Sequence, residues 1–294
     1  MTSNRATATF IGFSAVLMWA LLALFTAASG AVPPFQLSAM CFLIGGLIGL
    51  AMIGARGRGL APFRQPAIVW FVGVGGLFGY HFFYFTALRL APPVEAGLIA
   101  YVWPLLIVVM SALLPGEKLR WYHLAGASLG LVGTALIVTG GSGIALRLEF
   151  LPGYLAAAVC AVLWSTYSVA SRRLKETPTE TVAGFCLATA ALSLVCHLVF
   201  EETVWPAGLL QWAAVAGLGL MPVGAAFYVW DYGVKNGDIQ VIGASAYAAP
   251  LLSTVILIAT GYGQWSWPIA MACILITGGA VIAAKDLLFG GRHP

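Results

Sequence analysis

Ten apolar stretches of about twenty residues follow one another along the chain, separated by short connections rich in Gly and Pro. A helix that crosses the hydrocarbon core of a bilayer needs roughly 20 mostly apolar residues. Strands of a membrane β-barrel would instead alternate apolar and polar residues, which these stretches do not. The sequence therefore predicts an all-α integral membrane protein with ten transmembrane helices, named spans 1 to 10. Their predicted limits are 9–28, 34–54, 67–88, 93–114, 121–139, 151–171, 179–200, 208–231, 239–260 and 265–284.

The scarcity of charge supports this prediction. Only 8% of the residues are charged and 61% are hydrophobic, whereas a soluble domain has about 25% charged residues. This balance excludes a soluble globular enzyme, a disordered chain and a nucleic-acid-binding protein. The first apolar stretch is longer than the apolar core of a signal peptide, so we interpret it as span 1.

The positions of Lys and Arg predict the orientation. If the N-terminus is cytoplasmic, 12 basic residues fall on the inner side and only Arg89 and Arg147 fall on the outer side. Such an excess is the pattern of cytoplasmic loops, so both termini are predicted to be cytoplasmic. The inner set is Arg5, Arg56, Arg58, Arg64, Lys118, Arg120, Arg172, Arg173, Lys175, Lys235, Lys285 and Arg292.

The two halves of the chain resemble each other. At an offset of 146 residues Tyr101 aligns with Tyr247, and Pro104 aligns with Pro250 within a shared Pro-Leu-Leu. We therefore predict two five-helix repeats, 1–146 and 147–294, which form one transmembrane domain. Because five is odd, the second repeat enters the membrane upside down, as in many secondary transporters. A duplication without any role in transport remains the alternative.

The paired prolines indicate where a site could lie. Pro104 and Pro250 fall midway along spans 4 and 9, where a proline removes one N–H and leaves the carbonyl four residues earlier without its helical partner. The carbonyls concerned are those of Ala100 and Ala246. Interrupted helices at corresponding places in two repeats are typical of a binding site near the midplane. The alternative is a pair of packing kinks.

Several aromatic side chains lie away from the span ends, and His81 is the one titratable side chain well inside a span. Tyr84 shares a helix face with His81. A cavity lined by such groups would be aromatic and almost uncharged, which disfavours phosphorylated cargo. It suits flat apolar molecules that stack on rings or organic cations, although each ring taken alone is more typical of a packed core.

The sequence offers no catalytic or metal-binding motif. The five cysteines lie singly within apolar stretches, and there is no HExxH or GxSxG motif. The glycines of residues 73–79 lie inside an apolar helix, so close helix packing explains them better than a nucleotide-binding loop. We expect no enzyme activity, no cofactor, no metal and no nucleic-acid partner.

Three passages resemble the drug/metabolite transporter superfamily, EamA type: "FYFTALRLAPPVEAGLIAYVWPLL", "PGEKLRWYHLAGASLGLVGTALIV" and "DIQVIGASAYAAPLL". Within it, His81 with Tyr84, "AYVWP", "LWSTYSVASRR" and "GASAYAAP" resemble the bacterial aromatic amino acid exporter branch. The resemblance implies a multi-pass exporter of the bacterial inner (plasma) membrane, a ten-helix fold around a central cavity, and alternating access by rocking of helix groups.

We therefore predict export of aromatic amino acids and related hydrophobic metabolites across the lipid bilayer. The alternatives are an exporter of drugs or lipophilic cations with the same fold, a membrane-embedded enzyme, and a receptor or assembly factor that does not transport. A monomer is compatible with the sequence. The predicted substrate-binding residues are His81, Tyr84, Tyr101, Trp103, Trp164, Ser245 and Tyr247, with Pro104 and Pro250 as hinges.

Overall fold

The computed structural model describes residues 2–142, 146–261 and 264–289, and the regular structure within these ranges is entirely helical. Nine helical stretches of 19 to 28 residues are long and apolar enough to cross a membrane. The tenth, Trp267–Ala283, is apolar and has 17 residues. The prediction of an all-α fold with ten membrane helices is confirmed. Arg292, which was counted in the charge pattern, lies outside the described residues.

The observed spans begin and end close to the predicted limits, and several consist of more than one helical segment. Span 1 differs most, because its helix begins at Thr2, seven residues before the predicted start. Span 8 continues to Asn236, five residues beyond its predicted end. Span 1 consists of Thr2–Trp19 and Leu22–Ala28, and span 2 of Pro34–Ala55. Span 3 consists of Ala67–Val74, Gly75–Gly79 and Tyr80–Leu90. Span 4 consists of Pro93–Ala100, Trp103–Met110 and Ser111–Leu113, and span 5 of Trp121–Thr139. Span 6 consists of Leu148–Phe150 and Leu151–Arg173, and span 7 of Thr179–Thr181 and Val182–Phe200. Span 8 consists of Leu209–Leu220, Met221–Ala225 and Ala226–Asn236. Span 9 consists of Ile239–Ser245 and Ala248–Ala259, and span 10 of Trp267–Ala283. Short helices Ala61–Phe63 and Lys285–Phe289 lie outside the spans.

Irregular segments occupy corresponding places in the two halves. Spans 3 and 8 each contain a five-residue π-helical segment, Gly75–Gly79 and Met221–Ala225, whose first residues are 146 positions apart. Spans 4 and 9 are interrupted at Tyr101–Val102 and at Ala246–Tyr247. Each interruption precedes a proline in the first turn of the next segment, the one place where a helix tolerates proline.

The helices pack in pairs that respect this correspondence. The most extensive contacts join span 5 to span 10, span 2 to span 7, span 1 to span 8, and span 3 to span 6. Spans 5 and 10 come especially close, since a Cβ atom added at Gly279 would lie 2.5 Å from the carbonyl oxygen of Gly126. Side chains from spans 1, 2, 3, 4, 6, 8 and 9 surround a central cavity.

Candidate functional site

A cavity of about 540 Å³ occupies one half of the helix bundle. It reaches from the centre to the connection between spans 1 and 2, and we call that end of the molecule the open end. None of the residues described along its wall is Asp, Glu, Lys or Arg. They are Trp19, Leu22, Ala23, Thr26, Ser29, Gly30, Val32, Pro34, Leu37, Ser38, Cys41, Phe42, Tyr80, His81, Tyr84, Phe85, Leu88, Gly97, Ala100, Tyr101, Trp103, Trp164, Leu218, Pro222, Val223, Phe227, Ala249 and Ser253.

Four indole rings form the floor of this large cavity. Trp19, Trp103, Trp164 and Trp230 contact one another in all six pairings, with ring centroids 4.9 to 6.1 Å apart. We call these four residues the tryptophan cluster. Trp230 is fully buried beneath the other three and donates its indole N–H to the Ser168 hydroxyl at 3.1 Å. Edge-to-face and tilted ring pairs of this kind are favourable, so the cluster closes the cavity with packed aromatic surface.

His81 presents one ring nitrogen to the cavity in a defined state. Its Nδ1 lies 2.7 Å from the carbonyl oxygen of Leu77, and a carbonyl accepts hydrogen bonds but does not donate them. Nδ1 therefore carries a proton, and in the neutral ring Nε2 is an acceptor. The ring packs edge-on against Phe42, with centroids 4.9 Å apart. The cavity wall thus offers an acceptor suited to an N–H group of a ligand.

Two tyrosines stand beside His81. Tyr80 and Tyr84 stack at a centroid distance of 5.9 Å with their rings nearly parallel, and both line the cavity. Tyr80 also packs on Trp164 at 5.5 Å, so the wall and the floor form a continuous aromatic surface. With Tyr101 on the facing span 4, the cavity presents rings with few polar atoms.

Five of the seven predicted binding residues lie together around this cavity: His81, Tyr84, Tyr101, Trp103 and Trp164. The other two do not line it. The buried Ser245 hydroxyl donates to the carbonyl oxygen of Ile242 at 3.0 Å. The Tyr247 hydroxyl is also buried and accepts a hydrogen bond from the backbone N–H of Leu105 at 3.2 Å.

The predicted hinges lie at real interruptions, but their hydrogen bonding differs from expectation. The carbonyl of Ala246 is not free, because it accepts the backbone N–H of Ala249 at 3.1 Å. In span 4 the N–H of Leu105 bonds to the Tyr247 hydroxyl, which joins the interruption of span 4 to that of span 9. Hinge motion at Pro104 and Pro250 stays a prediction.

Two further residues of the cavity were not in the predicted binding set, although the repeat could have placed them there. Trp19, which aligns with Trp164 at an offset of 145, is a member of the tryptophan cluster. Phe227 is the counterpart of His81 at the offset of 146 and packs on Phe42 at 5.4 Å. Pro222 of span 8 also lines the cavity.

The opposite end of the bundle, the closed end, is held by ion pairs. Glu117 accepts hydrogen bonds from Arg5 at 2.9 Å and from Arg172, and Arg5 also reaches Asp238 at 3.2 Å. Arg172 donates in addition to the carbonyl oxygens of Val234, Lys235 and Gly237 at 2.8 to 3.1 Å. This network, named the closed-end network, joins span 1, span 6 and the connections that follow spans 4 and 8.

The charge pattern predicted from the sequence is visible in these contacts. At the closed end, Arg56 and Arg58 bond to Glu180 at 2.6 and 3.1 Å. At the open end, Arg89 bonds to Glu201 at 3.0 Å, and Glu201 also accepts from the backbone N–H groups of Phe35 and Gln36. Each of these ion pairs joins residues at one end of the molecule, and which end faces the cytoplasm stays a prediction. Among the described residues no cluster of three or more His, Cys, Asp or Glu is arranged to hold a metal ion.

Comparison with known proteins assigns the fold to a family. The model of the EamA-like transporter family matches this chain twice, over residues 6–139 and 151–284. The chain belongs to the EamA-like transporter family. This EamA-like transporter is thus a multi-pass membrane protein built from two copies of the family domain. The expectation of a transporter rather than an enzyme is confirmed by the family.

Similar proteins include named exporters. The EamA-like transporter described here is 59% identical to the aromatic amino acid exporter YddG of Ancylobacter novellus over 283 residues, which cover 95% of this chain and 98% of that protein. YddG of Salmonella typhimurium is 25% identical over 87% of this chain and 88% of its own. A solved crystal structure with 58% identity superposes with a TM-score of 0.91, covering 96% of this chain and 98% of the other.

Proposed function

We propose that this EamA-like transporter exports aromatic amino acids and related hydrophobic metabolites across the bacterial inner membrane. The observation that carries the proposal is the large cavity, whose described wall is built from rings and contains no charged side chain. Flat apolar groups stack favourably on such surfaces. The similarity to exporters named for aromatic amino acids over nearly the whole chain supports the same substrate class.

The wall of the cavity favours this cargo over the alternatives. A lipophilic cation would gain from a carboxylate, and a phosphorylated metabolite from Lys or Arg. Neither type of group is found along the part of the wall that the structure describes. The Nε2 atom of His81 and the hydroxyls of Tyr84 and Tyr101 supply the polar contacts, while Trp103 and Trp164 supply the stacking surface. Ser245 and Tyr247 contact substrate only if another state of the transporter exposes them.

The distribution of basic residues supports one orientation of the molecule in the membrane. The closed end carries the predicted cytoplasmic set, so in this proposal both termini are cytoplasmic and the large cavity faces outward. Export then requires a second state in which the closed-end network separates and the open end closes. The two repeats, 1–146 and 147–294, are inverted copies that exchange conformations. Support comes from the two family matches and from the paired irregularities of spans 3 and 8 and of spans 4 and 9.

Transport by the purified protein in liposomes tests the proposal. Liposomes loaded with labelled phenylalanine or tryptophan should lose it at least tenfold faster than protein-free liposomes. Labelled glutamate, whose side chain is charged, should leave at the background rate. Trp205→Ala is the matched control, because Trp205 is 63% exposed and lies outside the cavity wall.

Movement of another solute without phenylalanine or tryptophan would overturn the proposed substrate class. Repeating the measurement with and without a pH gradient shows whether protons are coupled to export. Transport rates of the control variant should match those of the unmodified protein within twofold.

A further inference from the structure

A second, much smaller cavity lies toward the closed end, beyond the tryptophan cluster. Its volume is about 10 Å³, room for roughly one water molecule. It lies among spans 3, 6, 7 and 8 and the connection between spans 6 and 7. The residues described along it are Val69, Val72, Gly73, Tyr167, Ser171, Leu174, Thr177, Phe185, Asp231 and Lys235.

The small cavity corresponds to the large one through the internal repeat. Six of its ten lining residues are counterparts of residues that line the large cavity. At an offset of 145, Tyr167, Ser171, Leu174 and Thr177 correspond to Leu22, Thr26, Ser29 and Val32; at 146, Asp231 corresponds to Phe85 and Val72 to Leu218. When two repeats exchange conformations, the small cavity is therefore the one that opens as the large one closes.

The two cavities differ in charge at one corresponding position. Phe85 lines the large cavity, whereas Asp231 lines the small one. The Asp231 carboxylate pairs with the Lys235 ammonium at 2.8 Å, and these side chains are 1% and 5% exposed. Asp231 also accepts from the Thr179 hydroxyl at 2.7 Å. Both residues lie in the last two turns of span 8, and buried charges are costly unless they are paired.

A third polar group faces the same space. The Tyr167 hydroxyl is buried, and the Ser171 side chain lies beside it. No hydrogen bond of normal distance and angle satisfies this hydroxyl among the described residues. Buried polar atoms are nearly always bonded, so an unsatisfied hydroxyl on a cavity wall points to a ligand or a water molecule that binds there.

We propose that Asp231 and Lys235 bind the charged head group of the amino acid in the state open at the closed end; this inference rests on the proposed function. Asp231 takes the α-ammonium group and Lys235 takes the α-carboxylate, while the Tyr167 hydroxyl bonds to the carboxylate. Because a zwitterion supplies both charges, neither protein group is left unpaired when the ion pair opens. The aromatic side chain of the substrate then packs on the tryptophan cluster.

This assignment predicts different ligand preferences at the two cavities. The small cavity recognises the zwitterion, whereas the large cavity chiefly recognises the ring. A pair that merely held Thr177 of the connection and Thr179 at the start of span 7 would not respond to the charges of the ligand. Ligand preference therefore separates binding from a structural role.

Site-specific thiol labelling can read the two cavities separately. Ser171→Cys reports on the small cavity and its repeat counterpart, Thr26→Cys, reports on the large one, each in a chain whose five native cysteines have been replaced. Protection from a membrane-impermeant thiol reagent is measured with L-phenylalanine, with phenethylamine, which lacks the carboxylate, and with 3-phenylpropionate, which lacks the ammonium group.

At Ser171→Cys, phenylalanine should protect at concentrations at least tenfold lower than either analogue. At Thr26→Cys, phenylalanine and phenethylamine, which both offer an ammonium group to His81, should agree within about threefold. Adding Asp231→Asn should weaken protection of Ser171→Cys by phenylalanine at least tenfold and leave 3-phenylpropionate within twofold. Lys235→Met should likewise weaken protection by phenylalanine at least tenfold, and it should leave protection by phenethylamine within twofold.

Equal ligand preference at the two reporters, or an Asp231→Asn effect that is the same for all three ligands, would overturn the inference. If the Asp231 and Lys235 variants do not fold, the ligand preferences measured at the two reporters with Asp231 and Lys235 unchanged still test the inference. If phenylalanine is transported and protects Thr26→Cys, the proposed function survives a failure here. If it is neither transported nor protective at either reporter, the proposed function itself fails.

Discussion

Trp19 donates its indole N–H to the carbonyl oxygen of Pro222 across 3.0 Å. The bond joins span 1 to the π-helical segment of span 8 on the wall of the large cavity. It fixes the ring that contacts Trp103, Trp164 and Trp230 together. The floor of the cavity therefore depends on a contact between the two repeats.

Trp19→Ala should reduce export of phenylalanine at least tenfold, because it removes this hydrogen bond and opens the tryptophan cluster. Trp19 is partly buried, so its truncation should cost less than the roughly 3–5 kcal/mol typical of a fully buried aromatic residue. Efflux from liposomes measures the loss. Trp205→Ala, which truncates an exposed indole of the same size, should leave efflux within twofold; equal losses would contradict a specific role of Trp19.

His81→Phe should raise the KM for phenylalanine by about tenfold, equivalent to ~1.4 kcal/mol, while the melting temperature changes little. The phenyl ring retains the packing against Phe42 but lacks the Nε2 acceptor. His81→Gln, which supplies an amide oxygen, should recover most of the affinity. An unchanged KM for His81→Phe would remove His81 from the binding site.

Glu117→Gln should shift the transporter toward the state open at the closed end. Glu117 is the shared acceptor of Arg5 and Arg172, and its side chain is 7% exposed. Labelling of Ser171→Cys should become about tenfold faster. The matched control is Glu149→Gln at an exposed pair with Arg147, since exposed ion pairs contribute little. An unaltered labelling rate would show that the closed-end network does not hold the state.

Gly279→Ala should destabilise the protein by about 1–3 kcal/mol through overpacking. The added Cβ would lie 2.5 Å from the carbonyl oxygen of Gly126. Gly278→Ala is a control one residue away, where a Cβ meets no atom within 4 Å and helix propensity improves by up to about 1 kcal/mol. Thermal denaturation in detergent should rank Gly279→Ala below the unmodified protein and Gly278→Ala at or above it.

Tyr247→Phe tests whether a residue predicted to bind substrate acts instead through the fold. Removing the hydroxyl leaves the N–H of Leu105 without its partner, at a cost of about 1–3 kcal/mol. We expect a lower melting temperature and a KM within twofold. A tenfold rise in KM at an unchanged melting temperature would instead favour contact with substrate in another state.

The parts of this molecule set by local pattern could be predicted from sequence. Apolar length predicted the spans, and the alignment of Tyr101 with Tyr247 predicted paired interruptions that the structure contains. The sidedness predicted from the positions of Lys and Arg stays a prediction. The cavity wall was predicted only in part. Whether a ring on a central span faces a cavity depends on helix rotation, and the π-helical segments of spans 3 and 8 alter that rotation.

Tyr101 and Tyr247 show this limit most plainly. The two occupy equivalent positions in the sequence repeat, yet Tyr101 lines the cavity and Tyr247 is buried against Gly130 with its hydroxyl bonded to Leu105. The repeats are equivalent in sequence, but in any one state they hold different conformations. Aligning the two halves of the sequence predicts both tyrosines at the site, because the alignment does not show which conformation each half holds in a given state.

The π-helical segment of span 3 changes the direction in which side chains project around the helix axis, so that residues before and after it face different neighbours. Such a segment contains one residue more than an α-helical turn, and one residue corresponds to about 100° of rotation. Gly73 and Gly76 seat the helix against Phe185 and Tyr167, while His81 and Tyr84 face the cavity. A one-residue deletion within 75–79 would leave the hydropathy of the span intact and turn the ligand-facing side chains toward its neighbours. The selectivity of the large cavity therefore depends partly on the number of residues in this segment, which a scan of substitutions would not vary.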